Sequence, residues 1–169
     1  MARRVLPLVL LTVLLVPAWA ASGQAPPAQQ SPTAQSERVR QGVSHFERAF
    51  YELTPQKRDR EAAQEFDQAI AEFELELTRQ PSSAMAHNYL GRIYSIRKEY
   101  RKSAEHYDRL SEIEPLNVDA CVLAALEYGE AGEFAEARAR LTEAKLRTSD
   151  PAALARITEY LAKLDRLSR

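Results

Sequence analysis

Apolar residues recur along this chain at helical intervals, in blocks separated by prolines and short polar breaks. From Ser36 to Leu53, Val39, Val43, Phe46, Phe50 and Leu53 follow one another at spacings of four, three, four and three, the stripe of an amphipathic helix. Ser36 is placed to cap it, with Glu37 in the first turn. Thr54-Pro55 reads as cap and first turn of a second helix, which carries Ala62, Phe66, Ala69, Ile70 and Phe73 before stopping at Pro81. Leu90 and Tyr94, with His87 one turn earlier, share one face of a third helix. Tyr100, Ser103, Tyr107 and Leu110 share one face of a fourth. Pro115 ends that helix near Ile113. Two more helices follow, with Gly132 in the turn between them. Asp150-Pro151 then opens a last helix whose stripe is Leu154, Ile157, Leu161, Leu164 and Leu167, with Arg156, Glu159, Lys163 and Arg166 turned outward.

The pattern repeats. Pro81 and Pro115 bracket a stretch that resembles one tetratricopeptide repeat (TPR) in its length as well as its residues. The W-x2-L-G-x2-Y, A-x3-F and P positions of that motif fall on His87, Leu90, Gly91 and Tyr94, on Ser103 and Tyr107, and on Pro115. His stands for the usual Trp, Ser for Ala and Tyr for Phe. The small Gly91 and Ser103 allow two helix backbones to approach closely. One repeat length forward, His87, Gly91, Tyr94, Ser103 and Tyr107 become Cys121, Ala125, Tyr128, Ala137 and Leu141. The same step backward gives Phe66, Ala69 and Phe73, but puts Gln56 and Lys57 where Leu90 and Gly91 stand; Thr54–Arg60 reads as an insertion or an early helix start, so the first repeat is degenerate. The expected fold is all-α: a right-handed α-solenoid of about three TPR-like hairpins plus a C-terminal capping helix. The repeats span 36–149 (36–81 degenerate, 82–115 the best match, 116–149 a good one) and the cap 150–169. Repeat stacks need such a cap over their last face.

The N-terminus changes the setting. Arg3 and Arg4, the apolar run Leu6 to Val16 and Ala18-Trp19-Ala20 form an export signal over 1–20 with an A-x-A cleavage site after Ala20. The other reading is an uncleaved anchor. Residues 21–35 hold no charge, three prolines and several Gln and Ser, the composition of a disordered linker. The expected location is periplasmic or secreted. The chain has 23 basic and 24 acidic groups, and removing residues 1–20 takes Arg3 and Arg4 and no acid, leaving 21 against 24. The charges are well mixed, which argues against a nucleic-acid footprint.

Chemistry is thinly marked. His87 occupies a core slot of the motif, His106 sits between Glu105 and Asp108, and His45 is isolated, with no pair at i, i+4 of the zinc-clamping kind. No Gly-rich phosphate loop or Gly-x-Ser-x-Gly elbow occurs. Cys121, the single cysteine, falls in an apolar helical pattern and reads as a buried small hydrophobe. No catalytic residue, metal ligand or cofactor is implied.

The resemblance implies a binding groove lined by the first helix of each repeat. Its residues here are Met85, Asn88, Arg92, Ser95 and Ile96, then Asp119, Val122, Leu126 and Glu130. Val122 and Leu126 would give an apolar floor, Asn88 and Arg92 donors, and Asp119 an acceptor. Asp119 and Leu123 stand where some TPR proteins place cations that clamp a terminal carboxylate, so that mode is not implied. The function expected is a non-catalytic adaptor or scaffold in a bacterial envelope, holding a peptide or helix of another exported or membrane protein. Two alternatives stay open: self-association into a structural homo-oligomer, and a metal-binding or enzymatic helical protein built around His87 and His106.

Overall fold

The structure, a computed structural model, describes residues 36–167. The expected export signal and linker lie outside the described residues. Within them the chain forms seven helices and no strand. Helix α1 spans Glu37–Glu47 and continues as a wider π-helical turn, Arg48–Leu53. The others are α2 (Asp59–Arg79), α3 (Ala84–Ile96), α4 (Tyr100–Ile113), α5 (Val118–Glu130), α6 (Phe134–Arg147) and α7 (Pro151–Leu167). Successive helices pack on one another as three hairpins, α1–α2, α3–α4 and α5–α6, closed by α7.

The caps follow the side chains. The Ser36 hydroxyl accepts from the Val39 N–H at 3.2 Å, Asn117 accepts from Ala120 at 3.3 Å, and the Asp150 carboxylate accepts from Ala152 and Ala153 at 3.3 and 3.0 Å. Thr54-Pro55 does not open the second helix. The N–H and the hydroxyl of Thr54 both donate to the Ala49 carbonyl, at 3.0 and 2.8 Å, and its backbone is still helical, so Thr54 closes the π-helical turn instead of capping a new helix. The chain turns through Lys57 at φ 57° and α2 starts at Asp59. The segment is an inter-helix loop.

The repeat is visible in contacts as well as in sequence. Tyr94 donates to Glu74 at 3.4 Å, and one repeat later Tyr128 donates to Asp108 at 2.9 Å, so the first helix of each hairpin is tied to the second helix of the one before. Lys98 (φ 60°) and Gly132 (φ 80°) make the same left-handed turn inside the second and third hairpins. Gly91 lies so close to α4 that the Ser103 hydroxyl donates to its carbonyl at 2.8 Å.

Two apolar clusters result. One joins α1, α2 and α3 through Phe46, Phe66, Phe73, Leu90 and Ile93; the other joins α4 to α7 through Tyr107, Cys121, Tyr128, Leu141 and Ile157. In the cap, Ile157 and Leu164 are buried, Leu154 and Leu161 half-buried and Leu167 exposed, while Arg156, Glu159, Lys163 and Arg166 face out as expected. Cys121 is fully buried, with the Arg147 guanidinium 3.3 Å from its sulfur.

Candidate functional site

The first helices α3 and α5 run side by side, and a cleft of about 630 Å³ opens where their N-terminal turns meet the end of α4. Met85, Asn88 and Tyr89 come from α3, Asp119 and Leu123 from α5, Leu110 from α4 and Glu114 from the turn just after it. Helical geometry sets this up: Met85 and Asp119, and likewise Tyr89 and Leu123, are one repeat apart and present corresponding faces.

Three of the nine expected groove residues, Met85, Asn88 and Asp119, line this cleft. Leu126 and Glu130 belong to a second, smaller cleft of about 60 Å³, closed on its far side by Tyr160, Lys163 and Leu164 of the cap. Val122 packs half-buried against the C-terminal cluster. Ile96 is exposed. Arg92 lies over the ring of Phe46 at 4.6 Å and near that of Tyr89 at 5.5 Å, so cation–π attraction holds its charge on the α1 side. The Ser95 hydroxyl donates to Glu127 at 2.7 Å.

Tyr89, Glu114 and Leu123 were not among the expected lining residues. Tyr89 and Leu123 hold the same place in successive repeats, and this shared phase is the signal that could have found them. Glu114 comes from an inter-hairpin turn, where helical phase says nothing.

Glu127 is the one acid on α5 that burial removes from water. It is 9% exposed and its second carboxylate oxygen has no partner. Desolvation raises its pKa, opposed by the neighbouring Ser95 and Ser103 hydroxyls.

A third cleft, about 440 Å³, lies over α4 and contains His87 and His106 with Glu105, Asp108, Arg109 and Glu112. The two histidines, from successive helices, meet through their Nδ1 atoms at 3.0 Å. His87 Nε2 lies 3.0 Å from the Pro81 carbonyl, which can only accept, so that nitrogen carries the proton. A neutral His87 therefore accepts at Nδ1 from His106. Burial lowers the pKa of both, that of His106 to about 4 with the neighbouring His87 adding to the effect. Tyr94 stacks on His106 at 5.5 Å. Both rings are thus packed into the hairpin and hydrogen-bonded as neutral groups. Among the described residues no group of three or more His, Cys, Asp or Glu is placed to hold a metal ion.

The arrangement of hairpins matches solved structures along most of their length. The N-terminal domain of stress-induced protein-1 (STI-1) from C. elegans superposes with a TM-score of 0.53 at 13% identity, covering 74% of this chain and 98% of that one. The described residues form a TPR fold. The first TPR domain of Spaghetti (RPAP3), bound to the HSP90 peptide SRMEEVD, gives a TM-score of 0.53 at 11% identity, covering 76% of this chain and 94% of that one. No protein-family model and no curated protein matches the sequence. At such identities the likeness is one of TPR architecture.

Proposed function

We propose that this TPR protein is a non-catalytic interaction adaptor of the bacterial cell envelope, exported by residues 1–20 and engaging a peptide or helix segment of another exported or membrane protein. The observation that carries the reading is the α3–α5 cleft: an open, mostly apolar concavity between two first helices, with amide and carboxylate groups at its edge. A TPR domain of similar architecture, that of RPAP3, is bound to a peptide. The neutral, internally hydrogen-bonded histidine pair supports a structural use of His87 and His106.

The test is capture of partners from the producing cell by chemical crosslinking, comparing wild type with Asn88→Trp, which fills the cleft from a half-buried position. The reading expects one exported partner with wild type and its loss with the variant. Identical partners with both would refute the groove. Mass spectrometry of the mature protein tests export: a chain starting at Ala21 is expected, and one retaining Met1 or Ala2 would contradict cleavage.

A further inference from the structure

The α3–α5 cleft differs in charge from its neighbours. The histidine cleft contains Arg109 and the cleft beneath the cap contains Lys163, whereas no Lys or Arg lines this one. Its charged groups are the carboxylates of Glu114 and Asp119. Glu114 is exposed and accepts from the Asn117 side-chain amide at 2.8 Å, a neutral partner that leaves its charge uncancelled. Asp119 is 3.3 Å from Arg156 of the cap, but the two side chains are 73% and 60% exposed, the kind of ion pair worth about 0–1 kcal/mol and readily exchanged. Arg92, the arginine of α3, does not line the cleft: its guanidinium lies over the Phe46 ring at 4.6 Å, with the Tyr89 ring 5.5 Å away.

We propose that this cleft receives a basic segment: a peptide stretch carrying Lys or Arg beside an aliphatic side chain, with the aliphatic group between Met85, Tyr89 and Leu123 and the cation at Glu114 and Asp119. The proposal rests on the groove reading above and gives its partner a chemistry. The methylene stem of Lys or Arg lies along apolar surface while its head stays at the rim, and this cleft offers both surfaces in that order. An acidic segment would set carboxylate against carboxylate with no lining cation to offset the repulsion. The partner chemistry is therefore opposite in sign to the SRMEEVD peptide seen on the RPAP3 domain.

The experiment titrates the full chain with two labelled peptides of equal length and identical leucine positions, one with lysine and one with glutamate at every other place, and follows fluorescence anisotropy. Three variants accompany wild type: Glu114→Gln with Asp119→Asn, an equally discharged control with Glu136→Gln and Glu159→Gln on exposed positions of α6 and α7, and Asn88→Trp. The lysine peptide should bind wild type at least about tenfold more tightly than the glutamate peptide, a difference of roughly 1.4 kcal/mol. It should weaken with added salt, lose most of its preference in the cleft variant and keep it in the control. Equal loss in both discharged variants would mean general charge attraction and overturn the proposal. Tighter binding of the glutamate peptide, blocked by Asn88→Trp, would overturn it while leaving the groove reading intact. Failure of both peptides to bind would count against the groove itself.

Discussion

Gly91 is held against the ring of Tyr107: a Cβ built on Gly91 would come within 2.9 Å of that ring. Gly42 stands in the same relation to Phe73, at 2.8 Å. The first hairpin therefore has the close helix approach of the second, although its glycine and its ring lie much further apart along the chain. In the third hairpin the corresponding pair is Ala125 and Leu141, a methyl added and a ring removed. Gly91→Ala should lower stability by about 1–3 kcal/mol in urea unfolding, since both Gly91 and Tyr107 are buried. Adding Tyr107→Leu should make the alanine nearly neutral in a double-mutant cycle. Simple additivity of the two changes would contradict the contact.

Lys98 and Gly132 occupy the same left-handed turn, where a side chain costs energy and glycine does not. Lys98→Gly should raise stability by about 0.5–1 kcal/mol, and Gly132→Ala should lower it by about 1 kcal/mol. Both are read from unfolding midpoints. Nothing lies within 4 Å of a Cβ on Gly132, so its effect would be one of backbone conformation alone.

The histidine pair makes the fold acid-sensitive. His106 titrates near 4 in the folded chain against an ordinary 6.5, so protons bind the unfolded chain more readily across that window. Its contribution is complete above about pH 6.5 and is lost as pH falls toward 4. His87, also lowered, adds in the same direction. Allowing for the partial exposure of His106, roughly 1–3 kcal/mol should disappear between pH 7 and pH 4. His106→Gln should show a distinctly smaller loss over the same range. An identical loss would place the acid sensitivity elsewhere.

Glu127 acts in the opposite sense. Its folded pKa is raised above the usual 4.5, so its contribution is fullest below that value and declines as pH rises through the folded-state value. The corresponding position one repeat earlier is the fully buried Ile93. Glu127→Met should therefore stabilise the protein at pH 7 by about 1–2 kcal/mol, replacing a poorly satisfied buried acid with an apolar side chain. Destabilisation would show that the Ser95 hydrogen bond outweighs the desolvation.

The helices, the cap at Asp150 and the central repeat were legible because each rests on local chemistry: a helical stripe, an oxygen at a helix start, a small residue at a close crossing. In the first hairpin both helices were legible, but its repeat register showed only in the second, and that helix begins at Asp59 rather than at Thr54-Pro55. A fixed step of one repeat length cannot find Gly42, because the π-helical turn, the loop through Lys57 and the long α2 shift it out of phase. Meetings across helices were hidden for another reason. His87 with His106, on successive helices, and Arg92 with Phe46, on the first helices of neighbouring hairpins, depend on how two helices are rotated against each other. Leu126 and Glu130 have the groove phase, yet the cap lies against them. Helical phase tells which face a residue is on, not what covers that face.

The most direct test of the adaptor reading is site-specific photo-crosslinking in the producing cell, with the crosslinking residue at position 88 in one strain and at position 136, exposed on α6, in another. A discrete adduct with an exported or membrane protein is expected from position 88, and none from 136. Adducts from 136 alone, or the same adducts from both, would contradict the groove as the working surface, and an adduct between two copies of this chain would establish self-association in its place.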